Sequence, residues 1–178
     1  AVCLCSDARL RRDHGDWRVE GDPMEGALLA FAAKAGVDGE RDSAAMPRID
    51  VIPFESETQL MATLHRAGED RGDGGVIYVK GAPERLLALC DRQRDAARDE
   101  RIDLAAWHRR IEDMTAAGER VIAVAVRAVP ASLTDMDLED LEKGLTMLGL
   151  IGLADPPRRE AIQAVADCRA AGIRIKMI

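Results

Sequence analysis

Val76-Ile77-Tyr78-Val79-Lys80-Gly81-Ala82-Pro83-Glu84 sets a lysine at the end of an apolar run and follows it at once with glycine and proline. Residues 76–79 are β-branched or aromatic, and a short run of that kind reads as a buried strand. Pro83 suits the first position of a helix, and Glu84 suits its positive end. The strand therefore stops at Lys80, where a cleft can begin. Gly81 lets a flat ligand approach the backbone while the Lys80 ammonium reaches over it, an arrangement suited to a nucleotide base and its phosphates. A strand-to-helix turn with a solvated lysine satisfies the same residues.

Outward from this strand, helix and strand signals alternate. Residues 8–12 and 17–20 predict a hairpin around the turn-forming Asp13-His14-Gly15-Asp16. Asp22 caps a helix that Pro23 begins and Gly36 ends, with Met24, Ala27, Leu28, Phe31, Ala32 and Ala35 on one face. Residues 49–54 and 59–65 predict a second hairpin across Glu55-Ser56-Glu57-Thr58, and residues 68–75 a Gly/Asp-rich loop. A short helix follows over 83–90, and the charged run 91–101 reads as a solvated connection or helix surface.

Asp103 caps a helix whose apolar face is Leu104, Trp107, Ile111 and Met114, stopped by Gly118. Residues 120–126 are almost continuously apolar and predict a central strand, 134–143 a short acidic helix, and 145–153 the last strand of the main sheet. Pro156-Pro157 marks a hinge. Beyond it lie a helix over 159–171, ended by Gly172, and a strand over 173–178 with nowhere obvious to pair.

The chain has 178 residues, 47% of them hydrophobic, enough for one main domain with a sizeable core. A formal net charge of -7 with interspersed signs argues against a nucleic-acid binder. An aromatic content of 3% argues against stacked single-strand platforms. Cys3, Cys5, Cys90 and Cys168 lack metal-ligand spacing, so reduced structural thiols are expected and no metal site. No apolar run approaches the roughly 20 residues of a membrane span, so the chain is expected to be soluble, to face the cytosol and to make no direct membrane contact.

Lys80-Gly81-Ala82-Pro83-Glu84 also resembles a motif of the nucleotide-binding domain of P-type cation-transporting ATPases. Four further segments fall in that family's order. They are Gly21-Asp22-Pro23-Met24-Glu25, Pro53-Phe54-Glu55-Ser56-Glu57 with Met61 beyond, residues 118–125 from Gly118-Glu119-Arg120 onward, and Asp155-Pro156-Pro157-Arg158. The resemblance covers nearly the whole chain. It implies an α+β fold, an antiparallel sheet flanked by helices, with residues 1–154 as the nucleotide-binding domain and 155–158 as a hinge. Residues 159–178 would be the truncated start of a returning phosphorylation domain. ATP with magnesium, and the parent's phosphorylation and actuator domains, are the implied partners of this cytoplasmic part of a membrane pump. The parent would transfer the terminal phosphoryl to an aspartate. The chain lacks the family's Asp-Lys-Thr-Gly-Thr segment, so no catalytic residue is expected in it and it should not turn over alone. The Lys-Gly-Ala-Pro-Glu and Asp-Pro-Pro-Arg forms resemble the calcium, sodium-potassium and proton branch.

The candidate site combines both lines of reading. Phe54, at a strand end, is by position either an adenine platform or a core residue closing the hairpin, and the resemblance favours the platform. Asp22-x-x-Glu25 fits a capping box by spacing, whereas the resemblance makes Glu25 an acceptor for the adenine amino group. Arg120, at a strand start, can clamp phosphate or pair with Glu119, and Ile122 shares its side of the strand. By resemblance Lys80 and Gly81 close the base of the pocket, and Asp155 and Arg158 touch nucleotide only on domain closure, the alternative being a rigid linker.

Against the resembled family's pattern, Gln59 stands where many members carry a basic residue and Ser56 where some carry an arginine, which reduces positive charge in the pocket. They support the alternative of an interaction or regulatory domain with little nucleotide affinity. A protein kinase reading of Lys80 fails for want of a catalytic-loop His-Arg-Asp and an Asp-Phe-Gly.

Overall fold

The computed structural model describes residues 1–66, 74–96, 98–155 and 157–176. Two strands, β1 (Arg9–Asp13) and β2 (Asp16–Glu20), form the first hairpin, and α1 (Pro23–Lys34) and α2 (Gly39–Ala45) follow. A mixed but mainly antiparallel sheet carries the remainder, from β3 (Arg48–Ile52), β4 (Leu60–Arg66) and β5 (Gly74–Gly81) to β6 (Cys90–Asp95), β7 (Arg98–Arg101), β8 (Arg120–Pro130) and β9 (Leu145–Leu153). Its order is β3-β4-β5-β8-β9-β6-β7, with β6 parallel to β9 and every other pair antiparallel. Helices α3 (Pro83–Leu89), α4 (Leu104–Ala116) and α5 (Arg159–Ala170) complete an α+β fold.

Local chemistry explains most of these elements. His14 and Gly15 both have positive φ, 50° and 98°, which is the turn that a tight two-residue hairpin needs. The Asp22 carboxylate accepts from the Met24 and Glu25 N–H groups at the start of α1, and Gly36, with φ 78°, lies just past its end. Gly81 pairs with Leu60 on one side and Ala123 on the other, and a Cβ there would come within 2.9 Å of the Leu60 Cα. Glycine is thus required by close approach of the Gln59-Leu60 backbone, whose Gln59 carbonyl accepts from the Ala82 N–H at 3.0 Å.

The sheet has two covered faces. On one, Leu60, Ala62 and Leu64 of β4, Ile77 and Val79 of β5, and Ala123 and Ala125 of β8 meet Leu86 and Leu87 of α3 and Trp107 and Ile111 of α4. Each leucine, isoleucine or valine among them contributes about 1.5–3 kcal/mol by leaving water. On the other, Met61, Val76 and Tyr78 pack under Leu4, Cys5 and Met46. The N-terminal segment is therefore a lid on the second face.

Four expectations are corrected. The charged run 91–101 is not a connection or a helix surface but lies mostly in the β6–β7 hairpin. Its polar side chains pair across the strands, Arg94 with Asp99 at 2.7 and 3.1 Å and the Gln93 amide donating to Glu100 at 2.6 Å, so no apolar alternation is needed. Residues 134–143 form only a short 3-10 turn at Glu139–Leu141. There the Asp137 carboxylate accepts from Glu139 and Asp140 N–H groups and that of Asp140 from the Asp137 N–H, bonds that compete with a helix. Gly74 and Gly75 belong to β5 rather than to the loop before it, while 67–73 lie outside the described residues. Residues 173–176 form no strand, in keeping with the lack of a pairing edge, and 177–178 lie outside the described residues.

Candidate functional site

Antiparallel pairing brings the candidates to one end of the sheet. β5 ends at Lys80-Gly81, β8 begins at Arg120, β9 ends at Leu153 opposite Arg120, and β3 ends two residues before Phe54. Phe54, Gly81, Ile122 and Arg120 therefore lie at the same end of the sheet, and Asp155 follows β9 there. Lys80 is the Cα partner of both Met61 and Val124, so its side chain belongs to the lidded face, as does that of Ile122 two residues before Val124.

One direct contact joins two candidates. The Lys80 Nζ donates to Glu25 Oε1 at 2.5 Å, with side chains only 9% and 14% exposed. The other carboxylate oxygen, Oε2, accepts from the Asp7 and Ala8 N–H groups, both at 2.8 Å, and from the Ser6 hydroxyl at 3.2 Å. The capping-box alternative for Glu25 is thereby corrected: Asp22 caps α1 unaided, and the Glu25 carboxylate turns to the sheet and the N-terminal segment. Burial alone would raise the Glu25 pKa, yet the hydrogen bond and charge of Lys80, helped by the Asp7 and Ala8 N–H groups, hold it below its ordinary value. A carboxylate offers about four lone-pair directions. With Lys80 on Oε1 and three donors crowding Oε2, Oε1 keeps one direction for a further donor.

Phe54 is 59% exposed, in place of the buried position a hairpin-closing core residue would take. The turn behind it is pinned by the Gln59 N–H donating to the Glu55 carbonyl at 2.8 Å. Gln59 itself has φ 56°, and Ser56 and Gln59 are exposed. Ile122 is buried. Arg120 is exposed and forms no ion pair with another described residue, which leaves the Glu119 alternative unoccupied. Asp155 and Arg158 are exposed, and Pro156 lies outside the described residues.

Residues that sequence reading passed over join this cluster. Arg48 donates to the carbonyls of Ser6 at 2.6 Å and Leu4 at 3.2 Å and pairs with Asp7 at 2.5 Å. Arginine at a strand start gave the only signal, and the pairing of positions 41 and more apart left none. A cleft of about 1010 Å³ lies between the N-terminal segment, the first hairpin, α1 and α2, lined by Leu10, Trp17, Leu29, Met46, Arg48 and His65 among others, but by none of the candidates. Among the described residues, no three His, Cys, Asp or Glu side chains converge as a metal site would require. No helix among them is long and apolar enough to cross a membrane.

Comparison with known proteins agrees with this architecture. The family model for the P-type ATPase cytoplasmic domain N matches residues 1–160. The chain is 48% identical over 176 residues to the cation-transporting ATPase pma1 of Synechocystis sp., covering 98% of this chain and 19% of that protein. It is 44% identical to the probable cation-transporting ATPase F of Mycobacterium tuberculosis, covering 100% and 19%. It is 35% identical to the calcium-transporting ATPase of Bacillus subtilis, covering 98% and 20%. The chain thus spans about a fifth of the length of these relatives. An α+β domain of this topology, matched along 160 of its residues, belongs to the P-type cation ATPase family as its cytoplasmic domain N.

Proposed function

We propose that the chain is the ATP-binding domain of a membrane cation pump and presents ATP to an aspartate outside it. The observation that carries this reading is the buried Glu25–Lys80 pair at the sheet end from which Phe54 emerges exposed. Phe54 stacks on adenine, and the free direction on Glu25 Oε1 accepts from the adenine amino group. Lys80 and Arg120 supply positive charge toward the phosphates, Ile122 lines the floor, and the Gly81 backbone forms the base. Magnesium bound with the nucleotide would neutralise charge on the phosphates.

The parent, in this reading, spans a membrane with this domain in the cytoplasm, and works as an ATP-driven translocase with phosphorylation and actuator domains. Relatives named as calcium-transporting ATPases support the calcium, sodium-potassium and proton branch. Residues 1–154 form the nucleotide-binding unit, 155–158 the hinge, and 159–178 a piece of the phosphorylation domain, with Asp155 and Arg158 meeting nucleotide on closure. The absence of any buried residue in α5 supports that division. Deleting residues 159–178 should leave melting temperature and ATP affinity nearly unchanged, and unfolding on deletion would move the boundary.

Titration with ATP, read by calorimetry and amide NMR shifts, tests the main reading. A Kd on the order of 0.1–1 mM is expected, about -4 to -5.5 kcal/mol, without steady phosphate release. Absence of saturation at several millimolar would favour the second reading, an interaction domain of this fold. The cleft lined by none of the nucleotide candidates, together with Ser56 and Gln59, is what recommends it.

A further inference from the structure

We infer that Arg48 is a positioning residue for the Lys80 ammonium, acting through the N-terminal segment and Glu25 without touching nucleotide. This rests on the ATP reading of Lys80. The guanidinium grips both the backbone and a side chain of residues 4–7: the Leu4 and Ser6 carbonyls at 3.2 and 2.6 Å, and the Asp7 carboxylate at 2.5 Å. That grip fixes the peptide planes whose Asp7 and Ala8 N–H groups point at Glu25 Oε2. Glu25, held at Oε2, then presents Oε1 to Lys80 at one place only. The relay links β3 to the end of β5 around β4, which lies between them in the sheet.

Loss of Arg48 has two consequences of the same sign. Residues 6–8 loosen and withdraw donors from Oε2, so Glu25 becomes a less satisfied anion that no longer holds the Lys80 ammonium at one place. The carboxylate also gains freedom, so the free direction on Oε1 no longer faces one ligand atom. Both lower affinity for a nucleotide that needs Lys80 and Glu25 in register. A guanidinium that merely braced β3 would leave the Glu25 carboxyl unchanged.

The test uses the whole chain with three measurements. First, in Arg48→Gln without nucleotide, the pKa of the Glu25 carboxyl read by carbon NMR should rise from its depressed value toward the ordinary one, and Arg48→Lys should restore part of the depression. An unchanged Glu25 pKa in a folded Arg48→Gln chain overturns the relay. Second, ATP affinity should fall about tenfold in Arg48→Gln and by less in Arg48→Lys, the size of one broken but solvent-compensated polar link. Third, and without any variant, the Asp7 and Ala8 amides of the unaltered chain should shift during ATP titration with the midpoint of the Lys80 amide. If Lys80 and Phe54 move while Asp7 and Ala8 stay still, the relay is wrong and the nucleotide reading stands. If no amide responds to ATP, the nucleotide reading fails, and the Glu25 pKa in the Arg48 variants still decides whether Arg48 governs the Lys80–Glu25 pair.

Discussion

The two faces of the seven-stranded sheet share their strands and differ in every other respect. The face under α3 and α4 is apolar throughout, Ile77, Val79, Ala123 and Ala125 against Leu86, Trp107 and Ile111. The buried polar side chains among the described residues, Ser6, Thr63, His65, Lys80 and Thr146, belong instead to the lidded face or its lid. Burying polar groups lowers stability unless each finds a partner. The helical face therefore specifies the fold through area, and the lidded face carries the buried polar groups on which the proposed nucleotide reading draws.

The largest loss is expected at the helical face. Leu86 is fully buried, and Leu86→Ala should cost about 2–5 kcal/mol in urea unfolding. Chains that remain folded should bind ATP as before. A parallel loss of affinity would mean that the two faces are coupled and the division of labour is false.

Lys80 comes next. A lysine at a strand end reads, from sequence, as a group whose removal barely alters melting, but the pair with Glu25 is nine-tenths buried on the lysine side. Lys80→Met keeps the apolar stem and leaves Glu25 with only the Asp7 and Ala8 N–H groups and the Ser6 hydroxyl. Removing one partner of a buried pair usually costs about 3–5 kcal/mol, and the remaining donors should bring this to ~1–3 kcal/mol. Calorimetric ATP binding should fall at least tenfold in the same variant. Full stability together with full affinity would remove Lys80 from both the packing under the lid and the proposed site.

Phe54 is the converse case, an apolar group that the fold leaves exposed. Its exposure leaves little to lose on truncation, so Phe54→Ala should change stability by about 0.5 kcal/mol or less. ATP affinity should drop by about 1–3 kcal/mol, the worth of a stacking platform. A melting loss near the ~3–5 kcal/mol of a core phenylalanine, with affinity intact, would place Phe54 in the fold and not in the site.

Much of this division was legible in the sequence because the helical face writes itself in periodicity. The run 76–80, the near-continuous 120–126 and the spaced Trp107 and Ile111 are area signals, and they predicted β5, β8 and α4. The β6–β7 hairpin was not legible, since its strands are joined by Arg94–Asp99 and Gln93–Glu100 and carry no apolar stripe. The 134–143 segment misled because its aspartates, which suit a helix start, bond their own backbone instead. At the site, the candidates came from motifs, but the Glu25 environment did not: Asp22-x-x-Glu25 has capping-box spacing, and only tertiary packing turns Glu25 toward Lys80, Asp7 and Ala8. Long-range polar pairing leaves no periodic trace, which is why Arg48 passed unnoticed.

The smallest effect is also the most specific to the lidded face, because it depends on titration. His65, 2% exposed, has its pKa lowered chiefly by burial and further by the Arg48 charge, against a raising hydrogen bond between Nδ1 and the Met46 carbonyl at 2.8 Å. Glu25 is lowered as well, for the reasons of pairing given above. For both groups the unfolded chain binds a proton at a higher pH than the folded one, so stability rises with pH across each window. The His65 contribution is complete above its ordinary 6.5 and is lost as pH falls from there through the folded value. The Glu25 contribution is complete above 4.5 and is lost below it in the same sense. Urea midpoints measured from pH 8 to pH 3 should therefore fall in two stages. His65→Asn should flatten the upper stage and Glu25→Gln the lower one, whereas Leu86→Ala should lower the whole curve without changing its shape. If Leu86→Ala abolishes either stage, or if both stages survive the two lidded-face variants, the acid sensitivity arises elsewhere and the contrast between the faces does not extend to pH.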